Sequence, residues 1–189
     1  MARTEIRITG FGGQGVILAG YIIGKATAVV EGRHATLNQA FGPEARGSAC
    51  SAQLILSDEQ ITYPYVRQTD ILVAMSQDAF RRFVPELRDG GLALVDSSLV
   101  TPGDDGRIRA LGAPATRTAE ELGKRIVSNM VMVGLFTGAT GLVTADAVRE
   151  AVRTSVPRGT EKLNLDALES GLELGMKLVA PRQLHEVHA

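Results

Sequence analysis

The stretch Ile6-Arg7-Ile8-Thr9-Gly10-Phe11-Gly12-Gly13-Gln14-Gly15-Val16 places a glycine-rich turn between two apolar segments. Ile6 to Thr9 alternates apolar and polar residues as a strand does, and Val16 to Val30 is apolar over the length of a helix. Between a strand and a helix, Gly-x-Gly-x-x-Gly spacing is typical of turns that hold an anion against backbone N–H groups. The sequence therefore predicts an anion-binding turn formed by Gly10, Gly12, Gly13, Gln14 and Gly15.

Strand and helix signals alternate along the rest of the chain. Strands are predicted at 34–38, 71–75 and 92–95, and helices at 77–87, 128–139 and 164–178. An antiparallel hairpin is predicted where the apolar run 49–56 is followed, after four polar residues, by 61–63. This order favours an α/β fold, with a mainly parallel twisted sheet, helices on both faces and one antiparallel hairpin.

Capping and stop signals predict several helix ends. Ser76 and Thr144 are predicted N-caps, and Pro157 is expected to end the helix that Thr144 begins. Residues 89–91, Asp-Gly-Gly, are expected to stop the helix at 77–87. The pattern Thr118-x-x-Glu121 is a capping box, which predicts a short helix that begins there and ends near residue 123.

The composition is that of an ordinary globular chain. The 189 residues are 44% apolar and carry a net charge of -1, which favours a single domain over 1–189 whose last eight or so residues are disordered. The charge balance and the absence of Trp argue against nucleic acid as a partner. No apolar stretch reaches membrane-spanning length and no secretory pattern opens the chain, so we expect a cytoplasmic protein that does not bind membranes.

Few residues are suited to catalysis or metal binding. Cys50 is the only cysteine, which excludes an intrachain disulfide and a self-contained iron–sulfur cluster, and its strand-like surroundings favour an inert core thiol. The three histidines, His34, His185 and His188, form no metal-ligating pattern, and no histidine is placed to complete a triad with a serine and an aspartate. We predict no catalytic residue and no metal site in this chain.

Four connections are expected at one edge of the sheet, because ligands in open parallel sheets sit beyond the carboxyl ends of the strands. They are the Gly10–Gly15 turn, the Gly42–Ser48 loop, Ser76-Gln77 and the run 96–98. If the first two strands are neighbours, the two glycine-bearing loops meet. Arg46 then binds an anionic ligand or a partner carboxylate, or alternatively forms a surface pair with Glu44.

Two other interpretations of the glycine turn stay open on the residues alone. Its glycines could serve packing only. A nicotinamide site would need an acidic residue at the end of the second strand, where this chain has Asn38-Gln39, and the nearby Glu31 precedes that strand. This difference disfavours a dehydrogenase and leaves a stand-alone nucleotide-binding or regulatory module as the main alternative.

Five motifs together resemble a known family. They are Gly-Phe-Gly-Gly-Gln-Gly-Val at 10–16, Phe-Gly-Pro-Glu-Ala-Arg-Gly-Ser at 41–48, Ile-x-Tyr-Pro-x-Val at 61–66, Leu-Val-Ala-Met-Ser-Gln at 72–77 and Ser-Asn-Met-Val-Met-Val-Gly at 128–134. In this combination and order the chain resembles the gamma subunit of 2-oxoacid:ferredoxin oxidoreductases, most closely the 2-oxoglutarate type.

The resemblance implies a Rossmann-like subunit of a larger enzyme that converts a 2-oxoacid, coenzyme A and oxidised ferredoxin into an acyl-CoA, carbon dioxide and reduced ferredoxin. It implies that partner alpha and beta subunits bind thiamine diphosphate with Mg, and that beta or a small ferredoxin-like subunit holds the iron–sulfur clusters, while this chain binds no cofactor alone. A delta subunit is a further candidate partner. Coenzyme A would approach near the subunit junction, and ferredoxin would act through the complex. The positions implied at that junction are Gly12, Gly13, Gln14, Gly15, Gly42, Pro43, Glu44, Arg46, Gly47 and Ser48.

Overall fold

Six strands form one twisted sheet in the computed structural model, which describes residues 3–40, 49–103 and 106–180. The strands are β1 (Thr4–Phe11), β2 (His34–Ala40), β3 (Ala49–Ser57), β4 (Thr69–Ala74), β5 (Leu87–Asp96) and β6 (Arg109–Ala113). Their order in the sheet is β2-β3-β1-β4-β5-β6, and only β3 runs antiparallel to its neighbours. The prediction of a mainly parallel sheet is confirmed.

Six α-helices cover the two faces of the sheet. They are α1 (Val16–Lys25), α2 (Gln77–Phe83), α3 (Ala115–Glu121), α4 (Ser128–Thr140), α5 (Ala145–Arg153) and α6 (Glu161–Val179). Side chains alternate along each strand, so Ile6 and Ile8 of β1 join the core shared with α1 and α4. Leu72 and Ala74 of β4 instead pack with the phenylalanines of α2 on the opposite face. Helices on both faces are therefore confirmed.

The predicted hairpin between 49–56 and 61–63 is wrong. The antiparallel hairpin of this fold joins β2 to β3, with Thr36 opposite Ile55, and the other edge of β3 pairs with β1. Residues 61–63 form no strand. The carbonyl oxygen of Pro64 accepts hydrogen bonds from Thr36 Oγ1 at 3.3 Å and Asn38 Nδ2 at 2.6 Å, so this segment crosses one face of the sheet. Both edges of β3 are paired with longer strands, β1 on one side and β2 on the other, so residues 61–63 have no free edge to join.

Local signals placed several other ends incorrectly. The helix expected over 77–87 ends as an α-helix at Phe83 and closes with a 3₁₀ turn over Val84–Glu86, where Pro85 cannot donate a backbone hydrogen bond. Residues 89–91 consequently lie inside β5 rather than at a helix stop. β2 extends through Gln39 and Ala40, two residues beyond the strand predicted at 34–38.

The capping box at Thr118 is also wrong, because Thr118 and Glu121 lie within α3, which begins at Ala115. Thr144 does cap α5, accepting a hydrogen bond from Ala147 N at 3.3 Å, but that helix ends at Arg153 before Pro157 is reached. The edge strand β6 was not predicted, because its sequence is short and weakly apolar. The helix over 16–30 consists of α1 followed by a π-helical turn over Ala26–Val30.

Helices α4 and α6 pack closely in parallel. A Cβ atom added at Gly134 would lie 2.1 Å from the Leu168 carbonyl oxygen, and one added at Gly171 would lie 2.0 Å from the Val131 carbonyl oxygen. Gly138 and Gly175 make the same kind of backbone contact one turn later. These contacts bring the two helices side by side with their first turns aligned. Both helices therefore begin beside the glycine turn.

No helix in the described part of the chain is long and apolar enough to cross a membrane.

Candidate functional site

The glycine turn lies at the edge of the sheet where the parallel strands end. Phe11, the last residue of β1, is opposite Ala49, the first residue of β3, and Ala40 at the end of β2 is opposite Ser51. β3 separates β1 from β2, so the two strands are not neighbours. Because β3 runs antiparallel, the turn after β1 and the connection between β2 and β3 nevertheless start from the same edge.

The loop half of the predicted site lies outside the described residues. The described ranges 3–40 and 49–103 leave out residues 41–48, which include Gly42, Pro43, Glu44, Arg46, Gly47 and Ser48. The chain end that the sequence predicts to be disordered lies within 181–189, which is also outside the described residues. The predicted roles of the loop residues remain predictions.

The turn itself has a conformation that glycine permits. Gln14 N donates to the Phe11 carbonyl oxygen at 3.1 Å, and Gly13 and Gly15 have φ values of 97° and 72°. Cβ atoms added at Gly12 or Gly13 would meet nothing within 4 Å. The N–H groups of Gly12 and Gly13 form no hydrogen bond with any described residue, so they remain available to a ligand at the start of α1.

Both ends of the Gln14 side-chain amide form hydrogen bonds with backbone groups. Its Oε1 accepts from Phe11 N at 2.7 Å, and its Nε2 donates to the Met75 carbonyl oxygen at 2.8 Å. A Cβ atom at Gly10 would lie 2.5 Å from Gln14 Oε1, so Gly10 leaves room for this amide. The Gln14 amide thus joins two backbone positions: its oxygen binds Phe11 at the end of β1, and its nitrogen binds Met75 just after β4.

Gly15 is in contact with the first turn of α4. Asn129 Nδ2 donates to the Gly15 carbonyl oxygen at 3.3 Å, and a Cβ atom at Gly15 would lie 2.2 Å from that nitrogen. Gly15 is therefore required by packing as well as by its positive φ. Of the five turn residues, Gly12 and Gly13 are the two at which an added Cβ atom would meet no described residue within 4 Å.

Two clefts border the turn on the side of α4. A cleft of about 290 Å³ lies between the turn and α6 and includes Lys124, Asn129, Thr160 and Asn164 in its lining. A second cleft of about 280 Å³ lies between the turn and the α3–α4 connection and is lined by Gly13, Gln14, Thr116, Arg125, Ile126 and Ser128. Ile126, which is 70% exposed, contributes to both clefts.

The other polar residues expected at this edge have structural partners. Ser76 Oγ caps α2 by accepting from Ala79 N at 3.3 Å. The carboxylate of Asp96 is fully buried and accepts from Ser98 N at 3.0 Å, from Thr116 N at 3.1 Å and from the Thr116 hydroxyl. Asp96 therefore connects β5 to the first turn of α3 and is not free to act as a base.

Cys50 lies beneath the edge as a core thiol. It is opposite Gly10 in the β1–β3 ladder, and burial raises its pKa, which keeps the thiol protonated at neutral pH. Within residues 3–40, 49–103 and 106–180, no group of three or more His, Cys, Asp or Glu side chains could hold a metal ion. The described residues around the turn offer hydrogen-bond donation from the Gly12 and Gly13 amides and positive charge from Lys124 and Arg125.

Sequence reasoning missed the contribution of the α3–α4 connection. Arg125, Ser128 and Asn129 are over a hundred positions from the glycine turn, and the sequence offered only a helix start and a family motif at this point. No spacing rule connects residues that meet only through the packing of α4 against α1.

Comparisons with known proteins agree on one family. Residues 5–174 match the family described as pyruvate ferredoxin/flavodoxin oxidoreductase. The chain is 49% identical over 182 residues to the 2-oxoglutarate synthase subunit KorC of Methanothermobacter marburgensis, covering 93% of this chain and 98% of that protein. The KorC subunit of Methanothermobacter thermautotrophicus is 50% identical over 182 residues, with 93% and 96% covered.

A crystal structure of the gamma subunit of a keto/oxoacid ferredoxin oxidoreductase from Geobacter sulfurreducens has the same fold. It superposes with a TM-score of 0.86 at 36% identity, covering 94% of this chain and 99% of that one.

Proposed function

Because this chain belongs to the pyruvate ferredoxin/flavodoxin oxidoreductase family, we propose that its glycine turn forms the anion-receiving edge of a multisubunit enzyme. The chain is a subunit of a 2-oxoacid:ferredoxin oxidoreductase, an enzyme that acts on a 2-oxo group with ferredoxin as electron acceptor. The two KorC relatives support 2-oxoglutarate as the 2-oxoacid. The proposed reaction is its oxidative decarboxylation with coenzyme A, which yields an acyl-CoA, carbon dioxide and reduced ferredoxin.

The cofactors of such a reaction are proposed to belong to partner alpha and beta subunits. Iron–sulfur clusters need several thiolates, and this chain has only Cys50, which is buried. The described residues likewise offer no carboxylate cluster for the Mg that accompanies thiamine diphosphate. The role that fits these residues is to bind and orient an anionic group at the junction with the partner subunits.

The observation that carries this proposal is the state of the Gly12 and Gly13 amides. They lie at the start of α1 in open space, without a hydrogen-bond partner among the described residues. Backbone N–H groups at the positive end of a helix stabilise phosphate or carboxylate groups. We propose that they receive a phosphate of coenzyme A or a carboxylate of a partner subunit, together with Arg46 and the other residues of the Gly42–Ser48 loop.

Gly12→Ala is the sharpest test, because the added methyl group meets nothing within 4 Å and Gly12 does not have a positive φ. It should leave the subunit folded and obstruct only an incoming group. In the reconstituted enzyme we expect Gly12→Ala and Arg46→Ala either to raise the apparent KM for coenzyme A or to weaken assembly, each by about tenfold. Gly103→Ala is the matched control, an open glycine without positive φ.

If both variants equal the Gly103→Ala control in KM and in subunit association, the turn and loop do not receive an anion. The alternative, a stand-alone nucleotide-binding module, is not favoured by the relatives. They are enzyme subunits, and this chain matches them over nearly their whole length. Titration of the full chain with NAD, ATP and coenzyme A distinguishes the two, because a stand-alone module would bind a nucleotide without the other subunits.

A further inference from the structure

Strand β2 forms one edge of the sheet, and the described residues leave that edge unprotected. β2 pairs with β3 over seven consecutive residues without a bulge, and no described segment forms a backbone hydrogen bond with its other side. Its residues, 34–40, include no proline and no lysine, arginine, aspartate or glutamate. Soluble proteins block free edges with such residues, with bulges or with short strands, because an open edge pairs readily with a strand of another chain. The opposite edge strand, β6, has this protection, since it is only five residues long and begins with the exposed Arg109.

Exposed apolar side chains border the β2 edge on the face of the sheet that α1 covers. Val29, in the π-helical turn after α1, is 72% exposed, and Tyr21 and Val30 are each close to half exposed. Tyr21 and Val29 line a groove of about 250 Å³ whose other wall is β2, including Leu37. A strand laid along β2 would cover this apolar surface while it satisfied the free backbone groups.

The other face of the same edge carries two exposed tyrosines. The Pro64 carbonyl oxygen accepts hydrogen bonds from two β2 side chains, and Tyr63 and Tyr65 on either side of it pack edge to face with their ring centroids 5.6 Å apart. The guanidinium group of Arg67 lies 4.3 Å from the centroid of the Tyr63 ring. Five of the eight large apolar side chains that are exposed in the described residues therefore border β2: Tyr21, Val29, Val30, Tyr63 and Tyr65. This concentration indicates a protein interface, in which tyrosine and arginine are enriched.

A second copy of β2 fits this edge. Two β2 strands can lie antiparallel about a two-fold axis that passes beside Leu37, so that each Leu37 faces its counterpart. The same register places Ala35 opposite Gln39 and His34 opposite Ala40, so no two like charges meet across the strands. The apolar borders of the two copies then come together on each face of the sheet. An uncharged edge strand and an apolar border are both self-complementary, as a two-fold contact requires.

The charges near the edge do not select an oppositely charged partner instead. Arg33, which precedes β2, is paired with Glu31 and Asp58 at 3.1 and 2.8 Å. Lys25, in the wall of the groove, donates to the hydroxyl of Thr154 at 2.8 Å. The net charge of the whole chain is -1, so two copies do not repel each other strongly at a distance. Apolar contact and strand pairing therefore remain as the driving forces for association at this edge.

We propose that two copies of this chain associate by antiparallel pairing of their β2 strands, which joins the two six-stranded sheets into one continuous sheet. The groove beside Leu37 and the tyrosine pair of each copy are covered by those of the other. This contact lies along the side of the sheet, so it is separate from the proposed anion-receiving turn after β1. In the assembled oxidoreductase it links two sets of subunits.

Sedimentation equilibrium of the full chain tests the proposal, and we expect a dimer with a dissociation constant in the micromolar range or below. Val29→Lys and Tyr65→Lys place a charge in the interface, so each should raise that dissociation constant at least about tenfold. Met176→Lys is the matched control, because Met176 on α6 is 54% exposed, as Tyr65 is, and does not border β2. All three positions are exposed, so thermal unfolding should show that the variants remain folded.

Cross-linking tests the register of the two strands. Residues that face each other in an antiparallel pair are only about 5 Å apart, so Leu37→Cys in a Cys50→Ala chain brings two thiols together at the two-fold axis. A short bifunctional thiol reagent should therefore give a covalent dimer. Ala110→Cys in the same background is the control, because Ala110 is an exposed residue of the opposite edge strand β6 and should give none.

The proposal is overturned if the full chain stays monomeric at about 100 µM, or if Val29→Lys and Tyr65→Lys equal Met176→Lys in dissociation constant. A covalent dimer from Ala110→Cys in place of Leu37→Cys would also overturn it, because the contact would then lie at β6. If Val29→Lys weakens only the binding of this chain to other subunits of the oxidoreductase, the edge pairs with a partner subunit and not with a second copy. The role of the glycine turn is decided separately, by Gly12→Ala and Arg46→Ala.

Discussion

Gln14 Nε2 donates a hydrogen bond to the carbonyl oxygen of Met75 at 2.8 Å and so joins the glycine turn to the end of a different strand, β4. The same amide accepts from Phe11 N at 2.7 Å. These two bonds hold the turn in the conformation in which the neighbouring Gly12 and Gly13 amides have no hydrogen-bond partner among the described residues. Gln14 acts on the proposed site by holding the turn in place, and its own side chain is not free to bind a ligand.

We expect Gln14→Leu to lower the free energy of unfolding by about 2–4 kcal/mol, because Phe11 N and the Met75 carbonyl oxygen each lose a partner. Gln14→Glu should lower it as well, because a carboxylate still accepts from Phe11 N but places an acceptor oxygen against the Met75 carbonyl oxygen. Urea unfolding of the full chain measures both changes. Gln60→Leu is the control, an exposed glutamine whose side chain forms no hydrogen bond with any described residue. Equal stability of Gln14→Leu and the unchanged chain would contradict a structural role for this amide.

The contact between α4 and α6 predicts a large difference between two glycines in helices. Gly171→Ala would push a methyl group to 2.0 Å from a backbone oxygen of α4, which cannot move without separating the helices. We expect a loss of about 3 kcal/mol or more. At Gly24 in α1 the nearest atom is the flexible Cδ1 of Leu54 at 3.1 Å, so Gly24→Ala should change stability by less than about 1 kcal/mol. Thermal unfolding compares the two, and similar losses would show that the helices can separate.

Glu31 predicts a specific dependence of stability on pH. Burial raises the pKa of Glu31, but hydrogen bonds from Thr144 N at 2.7 Å and from Arg33 at 3.1 Å outweigh burial and leave that pKa below its ordinary value of 4.5. A lowered folded-state pKa stabilises the fold above the unfolded-state value, and this contribution is lost as pH falls through the folded-state pKa.

Glu31→Gln should therefore cost about 1 kcal/mol at pH 7, and the cost should shrink once the pH falls below about 4.5. Urea unfolding of both chains between neutral and acidic pH measures the difference. Glu59→Gln, at an exposed position whose carboxylate forms no hydrogen bond or ion pair with any described residue, should show no such trend. A cost that stays constant across this range would refute the assigned ionic contribution.

Cys50 should be unreactive in the folded chain. Its raised pKa and its burial in β3 suppress both the thiolate and its access to reagents. We expect a thiol reagent at pH 8 to modify Cys50 at least about tenfold more slowly in the native chain than in urea. An exposed cysteine made by Ser97→Cys in a Cys50→Ala chain should react equally fast in both conditions. Rapid native modification of Cys50 would indicate that the edge of the sheet opens readily.

The parts of the fold that were predictable are those set by neighbouring residues. Each of these signals depends on residues a few positions apart in the sequence: the alternation at Ile6 to Thr9, the turn glycines, and the caps at Ser76 and Thr144. The errors came where local signals compete with packing. Thr118 has the sequence pattern of an N-cap but lies inside α3. Residues 61–63 have the pattern of a strand, but both edges of β3 pair with other strands.

The sequence by itself determined the class of fold, the place of the glycine turn and, through motifs spread along the chain, the family. Tertiary structure alone decided which residues share the site, because Gly13 and Ser128 meet only when α4 packs beside α1 and aligns its first turn with α6. The physical reason is that hydrogen-bonded turns and helix caps are formed by adjacent residues. A cleft, in contrast, is formed by whatever side chains the packing of distant segments brings to one edge.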